Sequence, residues 1–465
     1  MIRAIFFAFL VALTVAAVGW FATDPGRVVL DFRGWQIESS VGILVLAVAA
    51  LIAAVLVVWG LLGWIIGAPG RIAAWRAARR RARGLRALAA GMVAVAAGDT
   101  KGARKFARRA ALAEGDTPLT LLLSAQAAQL EGDDRAAEKY FTAMLARKET
   151  EFLGLRGLVA QAGRANDPAR ALVHAERAAL LRPAAGWAHA AVFELAVKAR
   201  AWKRAEDALA QAIRRGGIER GPGARHRAAV LLTQSAEAER AGFAVEALRL
   251  AARAHRAAEG FAPAALVRAR LEAEQGNRRR ARRILERGFA ASVCGDLARA
   301  YLALAEGEGE ALVRDRLKLA ARLLDRAPEV AEAHLVAAEA ALDAGLWGKA
   351  RKHLDDAEAR LAAASGDGPH PARLWRLRAR LAEDEGGDVR AAAHFFARAA
   401  AASPDPRWVC GACGQAAPAW AALCAGCGGF DTLDWRVPAP LFALAPAPSA
   451  RPLLPGVGAG ALTKD

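Results

Sequence analysis

The chain has 465 residues, of which 55% are apolar but only 6% are aromatic, and its formal net charge is +18. Ala and Leu dominate the apolar fraction and strand-favouring residues are scarce, so an all-α protein is expected. Five cysteines in a chain of this length argue against a disulfide-built secreted domain. The basic excess suggests an anionic neighbour such as lipid headgroups, nucleic acid or an acidic protein, or else reflects arginines that solvate exposed helix faces.

Two apolar runs without charged residues open the chain, at residues 4–22 and 41–67. Each meets the length of about 20 residues that a helix needs to cross the hydrocarbon core of a bilayer. Trp20 and Trp64 lie near the ends of these runs, where aromatic side chains prefer the membrane interface. We therefore predict a transmembrane hairpin over residues 1–70, with a cleaved signal peptide as the alternative for the first run.

A basic segment follows the second run and is predicted to form a juxtamembrane helix over residues 71–86. Basic flanks stay on the cytoplasmic side, so we expect a multi-pass protein of the bacterial inner (cell) membrane whose residues after 70 are cytoplasmic. Anionic lipid is the expected partner of this segment, and nucleic acid is not, because the span holds the segment against the bilayer. The candidate membrane-surface residues are Arg76, Arg79, Arg80, Arg81 and Arg83.

A period of 34 residues runs through the middle of the chain and is marked by recurring alanines. Small or apolar residues also recur four and seven positions after most markers, as Ala107 and Ala110 do after Ala103. This period is the length of one tetratricopeptide helix–turn–helix unit. The marker alanines are Ala103, Ala137, Ala171, Ala205, Ala247, Ala281, Ala350 and Ala392.

Glycine and proline residues also recur at fixed distances from the marker alanines. A glycine or a small polar residue lies five positions before most markers, where the first helix of a unit must end and the chain must reverse. Arg200 is an exception in this series. Pro183, Pro328 and Pro404 lie twelve positions after a marker position, where the second helix of a unit is expected to stop.

The period is interrupted at three places. Two steps lengthen to 42 residues, and we expect the extra residues to form longer loops at residues 216–223 and around 365–371. The unit between Ala281 and Ala350 is irregular, with Arg316 at its marker position. The whole pattern resembles the tetratricopeptide repeat family over residues 87–403, in eight to nine units. This resemblance implies an α-solenoid superhelix with a concave groove that binds peptides or helices of other proteins.

Two Cys-x2-Cys pairs form the strongest chemical signal, with Cys410 and Cys413 in the first and Cys424 and Cys427 in the second. Four thiolates at this spacing suit a tetrahedral ion, with zinc as the first choice and iron as the alternative in a rubredoxin-like knuckle. Because the four cysteines fill every coordination position, the module over residues 404–437 is predicted to be structural or docking, and not catalytic. The tail over residues 438–465 is rich in Pro, Ala and Gly and is predicted to be disordered.

The two spans, the segment from Asp24 to Trp35 between them and the basic helix together resemble the HemY N-terminal family of proteobacteria. That resemblance implies a membrane-anchored scaffold associated with late haem (porphyrin) biosynthesis, with ferrochelatase and protoporphyrinogen oxidase as partners. The four-cysteine module is similar to that of the lipopolysaccharide assembly protein B family. This second similarity implies an alternative role as a regulatory adaptor in lipopolysaccharide or envelope biogenesis.

The sequence contains no recognisable catalytic motif, such as a Ser/His/Asp set in a known context, a phosphate-binding loop or His-Glu-x-x-His. We therefore predict that the protein is not an enzyme. If haem or a porphyrin binds directly, one of the scattered histidines could be an axial ligand. They are His174, His189, His226, His255, His334, His353, His370 and His394.

Overall fold

The computed structural model describes residues 27–32, 35–365 and 370–438, together with the isolated positions 12, 16 and 19. The chain divides into two compact units, Met1–Glu131 and Gly132–Asp465. Apart from those three positions, the predicted span at residues 4–22 lies outside the described residues, and so does the predicted tail from residue 439 onward. Both remain predictions.

The first continuous segment that the structure describes is a β-hairpin, where the sequence led us to expect only a short polar connection. β1 (Arg27–Phe32) pairs with β2 (Trp35–Ser40) in antiparallel register, so that Phe32 lies opposite Trp35. β-branched residues such as Val29 and Ile37 favour the extended backbone of both segments. The expectation of an all-α chain is therefore corrected at this point.

A single helix of 56 residues, α1 (Val41–Ala96), follows the hairpin directly. In its first half the large apolar side chains are exposed, with Leu51 65% and Trp59 77% accessible. Among the helices that the described residues form, none combines the length and the apolar character needed to cross a membrane, so the predicted span at residues 41–67 is not confirmed.

The C-terminal part of α1 packs into a small helical core. It contacts α2 (Thr100–Glu114) and α3 (Pro118–Glu131), and Leu88 and Ala94 of α1 are buried in this core. The first marker, Ala103, is fully buried there as well. The first unit therefore joins the exposed apolar half of α1 to the start of the repeat pattern without a break in the helix.

The second unit is a series of helix pairs followed by a small sheet. In each pair a first helix packs against the second helix that follows it in the chain. The first helices are α5 (Lys148–Arg164), α7 (Gly186–Lys198), α9 (Arg220–Arg240), α11 (Ala262–Glu274), α13 (Gly295–Leu302), α15 (Ala331–Asp343) and α17 (Ala372–Gly386). The second helices are α4 (Asp134–Met144), α6 (Pro168–Leu181), α8 (Trp202–Arg214), α10 (Ala244–Ala257), α12 (Arg278–Ala291), α14 (Glu310–Arg326), α16 (Trp347–Ser365) and α18 (Val389–Ala401).

The 34-residue period is the packing period of these helices. Each marker alanine lies on a second helix and is at most 1% exposed. The positions four and seven residues after a marker are buried too, as Ala175 and Ala178 are after Ala171, except after the last marker, Ala392. A methyl group at the marker lets the neighbouring helices approach closely, which is why a chain so poor in large side chains still buries its helix contacts.

The turn before each second helix has a repeated chemistry. The residue five positions before the marker has a left-handed backbone, with φ of 81° at Gly242 and 83° at Gly276. Arg200 adopts the same conformation with φ of 55°, so the backbone of this unit follows the pattern although its residue type does not. The next residue often caps the helix, because the Asp167 carboxylate accepts the N–H of Arg170 at 3.0 Å.

The irregularities have structural explanations that differ partly from the expectation. The first 42-residue step lengthens a helix more than a loop, because α9 begins at Arg220 and includes Gly223. The irregular unit keeps the period in part, since Ala320 and Leu323 are buried at the positions four and seven after Arg316. Its first helix, α13, has only eight residues.

A three-stranded antiparallel sheet follows the last described helix. β3 (Arg407–Cys410) is the central strand, with β4 (Ala416–Ala417) on one side and β5 (Leu433–Arg436) on the other. Trp408 pairs with Trp435 across β3 and β5. The described chain is therefore mostly helical, but the four-cysteine module and the N-terminal hairpin contain strands.

Candidate metal centre

The two Cys-x2-Cys segments fold into equivalent knuckles. The carbonyl of Cys410 accepts the N–H of Gly414 at 3.0 Å, and that of Cys424 accepts the N–H of Gly428 at 2.8 Å. Both glycines have φ near 70°, at 75° and 67°, which explains the residue type that the sequence places there. Each knuckle thus turns its two cysteine side chains toward the same point.

All four sulfur atoms meet at that point. The Sγ atoms of Cys410 and Cys427 are 3.7 Å apart, and those of Cys413 and Cys424 are 3.6 Å apart. All four lie within 4.8 Å of one another. A tetrahedral ion with bonds of about 2.3 Å to sulfur requires edges of about 3.8 Å. The sulfur–sulfur distances of the four predicted cysteines therefore suit one tetrahedral metal ion.

Hydrogen bonds stabilise the thiolate form of Cys410. It accepts the N–H groups of Ala412 and Cys413 at 3.4 and 3.5 Å, and it forms a hydrogen bond of 3.2 Å with the hydroxyl of Thr432. Burial raises the pKa of the Cys410 thiol, but these hydrogen bonds outweigh burial and lower the pKa to about 6. Because the thiolate is the metal ligand, these hydrogen bonds favour ligation by Cys410, whereas burial raises the pKa of the Cys427 thiol.

The module does not stand apart from the helices; it lies on a surface that we call the seat, formed by α7, the start of α8, α9, the start of α11 and α13. Phe430 is its central aromatic contact. The Phe430 ring centroid lies 5.7 Å from that of Phe193, 6.4 Å from that of Trp202 and 5.6 Å from that of His226. An aromatic residue just after the second knuckle is therefore inserted between α7, α8 and α9.

A buried carboxylate holds the module beside Phe430. The Asp431 side chain is 0% exposed, and it accepts hydrogen bonds from Arg225 Nε at 3.0 Å and from His226 Nδ1 at 3.0 Å. Arg225 also donates to the Leu433 carbonyl at 3.2 Å and pairs with Asp434 at 2.7 Å. One arginine of α9 thus satisfies three acceptors of the module, which is the arrangement that a buried carboxylate needs.

Tryptophans fix the opposite edge of the module. Trp408 Nε1 donates to the Asp296 carboxylate at 2.7 Å, and the rings of Trp408 and Trp435 are 5.4 Å apart in an edge-to-face contact. Gly295 allows this approach, since a Cβ atom there would lie 3.1 Å from Trp435. The short helix α13 of the irregular unit is therefore the place where the sheet of the module docks.

The structure brings some of the predicted site residues together and leaves others apart. The four cysteines converge, whereas Arg76, Arg79, Arg80, Arg81 and Arg83 are all exposed along α1 without forming a pocket. Sequence reasoning missed the seat. The only signals for it were the irregular repeat and the adjacent Arg225 and His226, and neither indicates a partner 206 residues away.

Comparisons with known proteins agree with part of the sequence interpretation. Residues 26–132 match the family model for the HemY protein N-terminus, which confirms the predicted resemblance for that part of the chain. The chain is 28% identical over 436 residues to a protein of Magnetospirillum gryphiswaldense named "Probable magnetosome protein Mms48". The alignment covers 94% of this chain and 93% of that protein.

Solved structures of helical repeat proteins are also similar. A crystal structure of MamA is 15% identical and matches 38% of this chain and 92% of its own, with a TM-score of 0.27. A tetratricopeptide repeat protein from Parabacteroides merdae is 13% identical and matches 54% of this chain and 93% of its own, with a TM-score of 0.26.

Proposed function

We propose that this protein is a membrane-anchored, non-enzymatic scaffold that binds partner proteins of late haem biosynthesis on its helical repeats. The succession of helix pairs with buried alanines carries the scaffold part of the proposal, because such arrays expose long faces of neighbouring helices. The match of residues 26–132 to the HemY N-terminal model supports the link to haem. Zinc or iron in the four-cysteine site would have a structural role, since four thiolates leave no open position.

The module leaves part of the array free for a partner. It covers first helices from α7 to α13, while α5 precedes the seat. At the junction of α5 and α7, the Arg182 guanidinium lies 4.5 Å from the Phe152 ring centroid, and Arg156 lies 5.4 Å from that of Trp187. We place the partner-binding surface at this aromatic–arginine cluster, where an acidic segment of a partner would find both charge and apolar area.

Affinity capture of the tagged full chain from detergent-solubilised membranes tests this proposal. We expect ferrochelatase or protoporphyrinogen oxidase to be enriched, and we expect the variant with Arg156→Glu and Arg182→Glu to lose at least tenfold of that enrichment. Arg287→Glu is the matched control, because Arg287 is an exposed arginine of the second helix α12. Equal capture by all three proteins would reject the cluster as the binding surface.

The membrane anchor is also part of this proposal, and the exposed apolar side chains of α1 support it. Leu51, Val58 and Trp59 are more than half exposed, and no charged residue interrupts residues 41–67. The arginines from Arg76 to Arg83 follow on the same helix, where anionic headgroups would attract them. We expect the full chain to stay in bacterial inner membranes after alkaline carbonate washing, with the repeats accessible only from the cytoplasmic side; recovery in the wash would refute the anchor.

Depletion in cells separates the haem role from its alternatives. Accumulation of coproporphyrin or protoporphyrin is the expected result. The four-cysteine module favours a second candidate, a regulatory adaptor in lipopolysaccharide or envelope biogenesis, for which altered lipopolysaccharide with normal porphyrins is expected instead. Co-purification with magnetosomes, the structure in the name of the similar Magnetospirillum protein, would replace both assignments.

A further inference from the structure

A second group of metal-ligand side chains lies away from the four cysteines, between α15 and α16. His334 is on α15, and His353 and Asp356 are on α16. Their ligand atoms all lie within 4.8 Å of one another. The distance from His334 Nδ1 to Asp356 Oδ2 is 3.7 Å, which is too long for a hydrogen bond. The three side chains therefore converge without bonding one another directly.

The histidines present unused nitrogen atoms to this space. Nδ1 of His334 and Nδ1 of His353 are both buried, and neither has a hydrogen-bond partner among the described residues. Buried polar atoms without partners are rare in folded proteins, because they lose their hydration without compensation. Two of them beside one carboxylate indicate a ligand that would satisfy all three groups.

The tautomer of His334 suits a metal ligand. Its Nε2 lies 2.9 Å from the carbonyl oxygen of Pro328, which can only accept, so Nε2 carries the proton. Nδ1 then has a free lone pair directed at the shared space. A histidine that donates one ring N–H to a backbone carbonyl and coordinates through the other nitrogen is the usual arrangement in metal sites.

An earlier repeat provides an internal comparison. His189 also lies six residues after a proline, and its Nε2 is 3.0 Å from the Pro183 carbonyl. The positions on α8 that correspond to His353 and Asp356, three and six residues after the marker alanine, are occupied by Ala208 and Gln211. The proline–histidine hydrogen bond thus occurs in two repeats, whereas α8 lacks the histidine and aspartate that α16 adds, so they are not needed for it.

We propose that His334, His353 and Asp356 bind one divalent first-row transition ion. Two imidazoles and one carboxylate suit Zn²⁺ and its neighbours, and three protein ligands leave a position for water. Bonds of about 2.0–2.2 Å require ligand separations of about 3.3 Å, so the partly exposed His353 and Asp356 have to move by about 1 Å.

Metal counting on the full chain tests the proposal. The purified protein is dialysed against Zn²⁺ and a competing weak chelator, and zinc plus iron per chain are measured by elemental analysis. We expect two ions per chain in the wild type, and one in His353→Ala and in Asp356→Asn, because loss of a ligand weakens affinity by about 100-fold or more. His189→Ala is the matched control and keeps two ions, because it removes the same type of hydrogen bond at a position without further ligands.

Cobalt substitution shows which site is lost. The four-cysteine site gives thiolate charge-transfer absorption, which should be equal in all variants, while the weaker absorption of the histidine site should disappear in His353→Ala and Asp356→Asn. A wild-type chain with a single ion in the cysteine site would overturn the proposal. So would an unchanged count in both variants, with the helical circular dichroism signal confirming that each variant is folded.

Discussion

The repeat array and the four-cysteine module are stabilised in opposite ways. The array buries many small side chains spread over more than 250 residues, such as Ala205 and Ala251, and each contributes little by itself. The module has few fully buried apolar residues of its own, chiefly Trp408, Val409 and Leu433. We therefore expect its stability to depend on a metal ion and on the seat. From this contrast we expect a single substitution to lower the stability of the array only slightly and that of the module strongly.

Removing a metal ligand should have the largest effect. A structural zinc ion contributes about 10–16 kcal/mol to the folding of small domains, so Cys424→Ser should unfold the module and leave the helices intact. We expect new cleavage between residues 404 and 438 in limited proteolysis, with an unchanged helical circular dichroism signal.

Cys294→Ala provides the control for that experiment. Cys294 is buried and is not one of the four clustered cysteines, and burial raises the pKa of its thiol to about 11, so we expect it neither to bind metal nor to change the cleavage pattern. An intact module in Cys424→Ser would show that the seat alone can hold it, and the contrast between array and module would then fail.

The aromatic anchor should have the next largest effect. Phe430→Ala removes the ring between Phe193, Trp202 and His226, and because Phe430 is only half-buried we expect a loss of about 2–3 kcal/mol, below that of a fully buried phenylalanine. Urea unfolding measures the loss, and the metal content should not change. Phe396→Ala, at a 45% exposed position of α18, should change the free energy of unfolding by no more than about 0.5 kcal/mol. Equal losses in the two variants would mean that Phe430 does not anchor the module.

The buried carboxylate should have a smaller effect. Asp431→Asn keeps a residue that tolerates the left-handed backbone at φ of 52°, but it removes the charge that Arg225 and His226 contact. We expect a loss of about 1–2 kcal/mol in urea unfolding. Asp434→Asn, at a side chain 47% exposed, should lose less than about 1 kcal/mol. The opposite order of the two losses would contradict the role assigned to Asp431.

The smallest effect should be in the array, and it should be a gain. Arg200 holds a left-handed backbone that glycine adopts more easily, so Arg200→Gly should stabilise the chain by about 0.5 kcal/mol. The reverse change at an equivalent turn, Gly276→Arg, should destabilise it by about 1 kcal/mol. Thermal unfolding of the two variants side by side measures both shifts, and a destabilised Arg200→Gly would show that the Arg200 side chain has a role of its own.

The parts of the fold that sequence could predict are those that local chemistry determines. The marker alanines were recognisable because each small side chain is required at one contact of a unit that repeats every 34 residues. The cysteine knuckles were recognisable because their ligands are three residues apart and glycine is needed at Gly414 and Gly428. The left-handed turn at Arg200 was not recognisable, since the neighbouring helices impose a conformation that arginine disfavours.

The seat could not be predicted for a different reason. Phe430 and Asp431 are ordinary residue types, and so are Arg225 and His226, so nothing in either segment indicates the other. Only the folded array brings α7, α9 and α13 together into one surface. The cluster of His334, His353 and Asp356 could not be predicted for the same reason, because its side chains lie on two different helices. His334 differs from His189 only in having these two neighbours.

The position of the seat also determines the order in which the molecule is completed. Its contacts come from helices that extend from residue 186 to residue 302, and they exist only after three successive helix pairs and α13 have folded. The knuckles leave the ribosome after all of those pairs, and chains fold in the direction of synthesis. Docking of the module onto the helices therefore follows the folding of the seat, and it requires that the helices of the seat are correctly assembled. We expect an error in any of these helices to leave the knuckles undocked and exposed to proteases, so that docking of the module depends on correct assembly of residues 186–302.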